Sequence, residues 1–115
     1  MPIYNPPTFL NPRIQTVTDA ATVTPNASTD DAVNITAIAQ NFTIANPTGT
    51  PVNFQKLTIR IKDNGVPRTI AFGIGYVQMG IALPTITVLS KVLTLGFIYD
   101  TVNAKWGFVA LQTEI

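Results

Sequence analysis

Apolar and polar side chains alternate without interruption over residues 57–62, and this pattern constrains the fold more than any other feature of the chain. A period of two places alternate side chains on opposite faces of a β-strand. The series predicted to face a core is Leu57, Ile59 and Ile61, and the series predicted to face outward is Thr58, Arg60 and Lys62. The segment therefore predicts a strand that is buried on one face.

Short runs rich in Thr, Ile and Val, separated by Pro, Gly and Asn turn signals, continue this pattern along the chain. Asp63-Asn64-Gly65 is predicted to open a loop that joins two strands in a hairpin. No segment has a helical period with caps, and a single helical turn at residues 37–40 would be the exception. The predicted strands are residues 14–23, 33–38, 42–45, 57–62, 68–73, 76–83, 85–89, 92–99 and 105–111.

This spacing of strands predicts an all-β fold, an antiparallel β-sandwich with a jelly-roll-like topology and no significant helix. With 115 residues, the chain is expected to form one domain. We predict that it comprises residues 14–115, preceded by an extended arm at residues 1–13.

The composition argues against catalysis. The chain has no cysteine and no histidine, and only six acidic residues, so the commonest general base and metal ligands are missing. Asp30-Asp31 has no further acid close in sequence to complete an oxygen cage, and Asp63-Asn64-Gly65 is interpreted as a turn. We therefore expect no enzymatic activity, no catalytic residue, no metal and no cofactor.

Charged residues make up only 11% of the chain, against about 25% in typical domains. With 46% hydrophobic residues, this predicts a surface that is partly covered by copies of the chain or by a partner. The alternative is a neutral surface of Thr and Asn in water. A net charge of +1 suggests no nucleic-acid partner.

Residues 80–99 are nearly long and apolar enough to span a bilayer. Pro84, Lys91 and the many β-branched residues instead predict two buried strands and no membrane partner. The first residues contain neither a basic region nor an apolar core, so they are not interpreted as a secretory signal.

The arm at residues 1–13 contains four prolines, which favour an extended conformation. Its apolar side chains, Tyr4, Phe9 and Leu10, predict a segment that docks on a neighbouring subunit or a capsid. The alternatives are an arm packed on its own domain or a disordered terminus.

Four of the seven cationic residues lie within residues 56–68. Arg60 and Lys62 share one strand face, and Arg68 is expected opposite them, which would make a patch for an acidic partner; a solvated face is the alternative. The candidate partner-binding residues are thus Tyr4, Phe9, Leu10, Arg60, Lys62 and Arg68. A second hypothesis is a sugar-stacking platform of Trp106, Tyr99 and Tyr76.

Several motifs resemble a β-domain that recurs in virion structural proteins of tailed bacteriophages. The resemblance covers roughly residues 17–111, and its motifs are structural. The matching pieces are Asp30-Asp31, residues 36–39 (TAIA), 47–51 (PTGTP), 55–65 (QKLTIRIKDNG), 96–99 (GFIY) and Lys105-Trp106.

The resemblance implies a module of capsid decoration proteins, head fibres and tail fibres, commonly a homotrimer. The short arm favours a capsid decoration, cement or short head-fibre protein over a long tail fibre. Expected partners are other copies of the chain and the major capsid protein or another virion protein. The expected location is the surface of the phage particle, after synthesis in the bacterial cytoplasm. The alternative is a module of a tail fibre or baseplate that binds host glycans or a receptor.

Overall fold

The computed structural model describes residues 11–115, and within them the chain is all-β, with nine strands and no helix. The strands are Ile14–Val17 (β1), Thr22–Val23 (β2), Ala32–Ile38 (β3), Phe42–Ile44 (β4), Lys56–Asp63 (β5), Ile70–Phe72 (β6), Tyr76–Gln78 (β7), Leu93–Asp100 (β8) and Lys105–Thr113 (β9). The all-β prediction is confirmed. The predicted arm falls mainly on residues 1–10, which lie outside the described residues.

The alternation that predicted β5 is confirmed residue by residue. Exposed and buried side chains alternate along the whole strand. Leu57, Ile59 and Ile61 are at most 1% exposed. The strand ends at Asp63, where the chain turns away through Asn64-Gly65.

The strands form two sheets. Six strands pair in the order β1-β3-β5-β8-β9-β7, and three pair in the order β2-β4-β6. From β1 to β6 the chain alternates between the sheets, and each return adds a strand parallel to the previous one in that sheet. β8 and β9 then form an antiparallel hairpin, and β7 pairs in parallel with β9.

The prediction of antiparallel pairing is therefore wrong for most of the molecule. Of the seven strand pairings in residues 11–115, five are parallel and two antiparallel. A jelly-roll-like sandwich is not confirmed. Alternation reports which face of a strand is buried but not which strand lies beside it, because parallel and antiparallel neighbours bury the same face.

The predicted hairpin after residue 62 is also wrong. β5 lies between β3 and β8, whereas β6 belongs to the smaller sheet. The Asp63 carboxylate accepts a hydrogen bond from the Gly65 amide at 2.9 Å and another from the Ser90 amide at 3.0 Å. These bonds hold the turn against a distant segment, and the chain crosses to the other sheet.

Three other predicted strands differ. The one at residues 76–83 is limited to Tyr76–Gln78. The one at residues 14–23 is split into β1 and β2 around Asp19, whose carboxylate accepts a hydrogen bond from the Ala39 amide at 2.9 Å. The one at residues 85–89 is reduced to a single bridge between Ile86 and Thr69. No helix among residues 11–115 is long and apolar enough to cross a membrane.

One cluster of buried side chains, drawn from both sheets, forms the core. At its centre Phe97 is 1% exposed, and its ring centroid lies 5.0 Å from that of Tyr76 and 5.2 Å from that of Phe108. The predicted hairpin of residues 92–99 and 105–111 is confirmed, and it supplies Phe97 and Phe108 from opposite positions.

Candidate functional site

The outer face of the six-stranded sheet carries a row of small side chains. Because Val33 is buried, its neighbour Ala32 points to the opposite, outer face. Across the strands Ile14, Ala32, Thr58, Gly96 and Ala110 lie in register. Apart from Ile14 at the sheet edge, these residues are small and leave a shallow trough.

A groove of about 730 Å³ opens over β1, β3 and β5, and we call it the outer groove. Its lining contains both apolar and polar side chains. The lining residues are Pro12, Ile14, Asp31, Ala32, Val33, Asn34, Phe54, Lys56, Thr58 and Arg60. It is large enough for a short peptide segment rather than a single ion.

Phe54 is the most exposed aromatic residue of residues 11–115, with 74% of its surface accessible. Its φ of +66° is uncommon for a bulky residue. The conformation is held by a hydrogen bond from the Phe54 amide to the Tyr99 carbonyl at 2.8 Å and by the Gln55 side chain, which donates to the Ala27 carbonyl at 2.7 Å. An apolar ring is thus presented to the outside in a fixed position.

Phe54 also lines a second groove of about 470 Å³, on the outer face of β8, β9 and β7. Val77, Met79 and Val109 are 38%, 60% and 47% exposed there. Met79 lies over Gly107, where an added Cβ would come within 3.0 Å of the methionine Cγ. The two grooves give this sheet face a partly apolar character.

An ion pair fixes the end of the arm at the outer groove. The Arg13 Nη2 lies 2.9 Å from Asp31 Oδ1, and the Arg13 amide donates to Asp31 Oδ2 at 2.8 Å. In return, the Asp31 backbone amide donates a hydrogen bond to the Arg13 carbonyl at 2.7 Å. Hydrogen bonds from Arg13 hold the pKa of Asp31 below its ordinary value. Both side chains are largely exposed, so water screens their attraction, and the main effect of the pair is to set the direction of the chain.

The predicted cation patch is only partly assembled. Arg60 and Lys62 are exposed on the same face of β5, and Arg60 lines the outer groove. Arg68 does not lie opposite them, because the sheet neighbours of Arg60 are Asn34 and Thr94. Arg68 instead precedes β6, half-buried, and its Nη2 donates to Asn64 Oδ1 at 3.1 Å. Binding of a partner by these residues remains a prediction, and Tyr4, Phe9 and Leu10 lie outside the described residues.

The aromatic residues suggested as a sugar platform are mostly buried. Trp106 is 3% exposed and Tyr76 5% exposed. The Tyr76 hydroxyl donates to the Ala45 carbonyl at 2.8 Å, and burial raises the pKa of Tyr76. Tyr99 is half-buried, with its ring centroid 4.9 Å from that of Trp106. Trp106 and Tyr76 therefore pack in the core. The exposed ring of Phe54 was not predicted, because no local pattern distinguishes it from a buried aromatic residue.

The buried carboxylates have structural partners. Asp30 is 8% exposed. Its carboxylate accepts hydrogen bonds from the Asn26 backbone amide at 2.8 Å and from Nε2 of the Gln15 side chain at 3.1 Å. Asp63 is held in the same way by backbone amides. Within residues 11–115 no three acidic side chains come together in a group that could hold a metal ion.

A second apolar surface lies in the connection between β7 and β8. We call it the exposed segment 81–89, and its exposed large apolar residues are Ile81, Ile86, Val88 and Leu89, at 38%, 53%, 38% and 53%. Sequence reasoning placed a buried strand here. The β-branched composition was recognised correctly, but no covering layer lies over it within the described residues.

Comparison with protein-family models, with curated protein sequences and with solved structures gave no match. The surfaces described above are therefore interpreted from their own chemistry.

Proposed function

We propose that this chain is a non-enzymatic structural protein of a tailed-phage virion, a capsid decoration, cement or short head-fibre component. The observation that carries the proposal is the amount of apolar side chain exposed on two surfaces, the grooved outer sheet face and the exposed segment 81–89. Apolar surface of this kind marks contact with other proteins. The resemblance of the sequence motifs to a phage β-domain supplies the class of assembly.

In this proposal the two sheets are the layers of a sandwich-like module that presents one face to its partners. The protein would associate with copies of itself, as a homotrimer, and bind the major capsid protein or another virion protein at the particle surface. A ligand that binds an assembled state stabilises it by mass action, by about 2.7 kcal/mol at a hundred times its dissociation constant. No bond needs to be made or broken for this activity.

Self-association should depend on the exposed segment 81–89. We expect light scattering at micromolar concentration to give three times the 12.4 kDa chain mass, and the variant with both Ile86→Ser and Leu89→Ser to give the mass of one chain. The reason is that both side chains are 53% exposed in the single chain and would be buried in the trimer, where apolar burial is the main driving force.

Ile74→Ser is the matched control, because Ile74 is 83% exposed in the turn between β6 and β7 and belongs neither to the two grooves nor to the exposed segment 81–89. It should leave the mass of the trimer unchanged. A parent protein that is monomeric at every concentration, or a trimer unaffected by the double variant, would contradict the role given to this segment.

Binding to the shell should depend on the arm. Deleting residues 1–10 keeps Arg13 and its ion pair with Asp31, so the fold should be retained. We expect the deletion to abolish co-sedimentation with capsids of the phage that encodes the chain, while the cooperative thermal transition of the domain persists. Undiminished co-sedimentation of the shortened protein would show that the arm does not contact the shell.

A further inference from the structure

We propose that residues 1–10 bind in the outer groove of the same chain and cover it in the free protein. The first reason is continuity. Asn11 is exposed, and the next residues, Pro12 and Ile14, already line the groove. The chain outside the described residues therefore starts at the rim of an open groove.

The chemistry of residues 1–10 matches that of the groove. The segment has no charged side chain and contains Ile3, Tyr4, Phe9 and Leu10. The groove offers the exposed ring of Phe54, the exposed side chain of Ile14, and the small side chains of Ala32 and Thr58. Its one acidic residue, Asp31, is already paired with Arg13. Apolar contact is thus available without burying an unpaired carboxylate.

The prolines of the segment suit a groove lined mainly by side chains. Pro2, Pro6 and Pro7 have no amide hydrogen, so the segment brings fewer donors that would need partners on the sheet face. It cannot pair as a regular additional strand through these positions. Contact through side chains, rather than extension of the sheet at β1, is what this sequence allows.

Residues 1–10 are long enough to cross the outer face of the sheet. An extended proline-rich segment rises about 3.1 Å per residue, which gives about 31 Å for ten residues. Strands lie about 4.8 Å apart, so crossing from β1 to β9 takes about 19 Å. Residues 1–10 can therefore pass from Pro12 over the trough to Phe54, and on to the second groove that Phe54 also lines.

The hydrogen bonds donated by Arg13 favour the groove of the same chain over that of a second copy. Four hydrogen bonds from Arg13, three to Asp31 and one to the Ser28 carbonyl, fix the point where the segment begins. A tether of this length gives an effective concentration in the millimolar range. The inference concerns the free protein and stands whether or not the chain belongs to a virion.

The test uses a spin label, and the absence of cysteine makes the label site-specific. Thr8→Cys carries the label at the arm, and ¹⁵N-labelled protein reports which backbone amides lose intensity. We expect broadening at the outer groove, at Ala32 and Thr58, with amides of β2 and β6 unaffected. Mixing ¹⁵N-labelled protein without a spin label with unlabelled, spin-labelled protein should give no broadening.

Thr58→Glu is the blocking variant and Thr36→Glu its matched control. Both threonines are exposed on the outer side of the same sheet, but only Thr58 lines the outer groove. We expect Thr58→Glu to remove the broadening, Thr36→Glu to retain it, and chymotrypsin to cleave after Tyr4 at least tenfold faster in Thr58→Glu. Phe54→Gly, which tolerates the positive φ, should act like Thr58→Glu and provides a second variant if the first does not fold.

Broadening at the outer groove in the mixed sample, prepared by unfolding and refolding the two proteins together, would overturn the assignment to the same chain. So would an outer groove without broadening, or an equal response to the two glutamate variants. The distinction from the proposed function is direct. If residues 1–10 serve the capsid but not the groove, their deletion abolishes co-sedimentation while the spin label leaves the groove unaffected. If they bind only the groove, their deletion leaves co-sedimentation unchanged, while the spin label broadens the amides of the groove.

Discussion

Phe97→Ala is expected to lower the free energy of unfolding by about 3–5 kcal/mol, the usual range for a buried phenylalanine. Phe97 is 1% exposed, and its ring packs against those of Tyr76, Phe108 and Phe72, with centroids 5.0, 5.2 and 6.4 Å away. The substitution removes contacts within the larger sheet and to β6 of the smaller one. Urea unfolding followed by tryptophan fluorescence measures the change.

Phe97→Leu retains much of the apolar volume and should cost less than Phe97→Ala. Val102→Ala changes a side chain that is 89% exposed and should shift the free energy of unfolding by less than about 0.5 kcal/mol. A loss below about 1 kcal/mol for Phe97→Ala would mean that this aromatic cluster is not the centre of the core.

Asp63→Ala is expected to cost about 3 kcal/mol or more. Its buried carboxylate accepts hydrogen bonds from the Gly65 and Ser90 amides and, at 2.9 Å, from the Thr87 hydroxyl. Bonds to a charged acceptor contribute about 1.5–3 kcal/mol each and are not additive. The variant leaves these donors without their acceptor and frees the loop after β5 from the segment before β8.

Asp63 should also make the free energy of unfolding depend on pH. Burial alone would raise the pKa of Asp63, but the hydrogen bonds from Gly65, Ser90 and Thr87 outweigh it and lower the pKa below its ordinary value. The ionised Asp63 carboxylate therefore contributes its full stabilisation above the unfolded-state pKa of about 3.9. This stabilisation is lost as the pH falls through the lower pKa of the folded state.

Urea midpoints measured between pH 7 and pH 2 check this expectation. The parent protein should lose stability below about pH 4, and Asp63→Asn, which cannot titrate, should show a smaller decrease. An identical decrease in both proteins would place the acid sensitivity at other carboxylates, such as Asp31 or Asp19, whose pKa values are also lowered.

The local pattern was sufficient for individual strands. β5 and the β8–β9 hairpin were predicted to within two residues of their observed bounds, because side-chain alternation and a short turn are encoded within the segment itself. The interpretation of Asp63-Asn64-Gly65 as a hairpin turn failed, because the side chain that directs it is bonded to residues 87 and 90. Such a partner cannot be inferred from the turn sequence.

The candidate site was predicted less well than the strands. Arg60 and Lys62 were correctly placed on the outer face of β5, whereas Arg68 was wrongly placed opposite them. The sequence did not distinguish Phe54, which is exposed, from Trp106, which is buried. Both are aromatic residues near turns, and only packing by distant strands separates them.

The sequence by itself determined that this chain forms strands with one buried face, because a period of two is a local property of the backbone. It also determined the absence of histidine and cysteine chemistry and the low charge. Only the tertiary structure decided that successive strands return in parallel to alternate sheets, that segment 81–89 is exposed, and that the grooves meet at Phe54. These features depend on contacts between residues far apart in the chain, and their free energy comes from burial shared among many segments, which no single segment encodes.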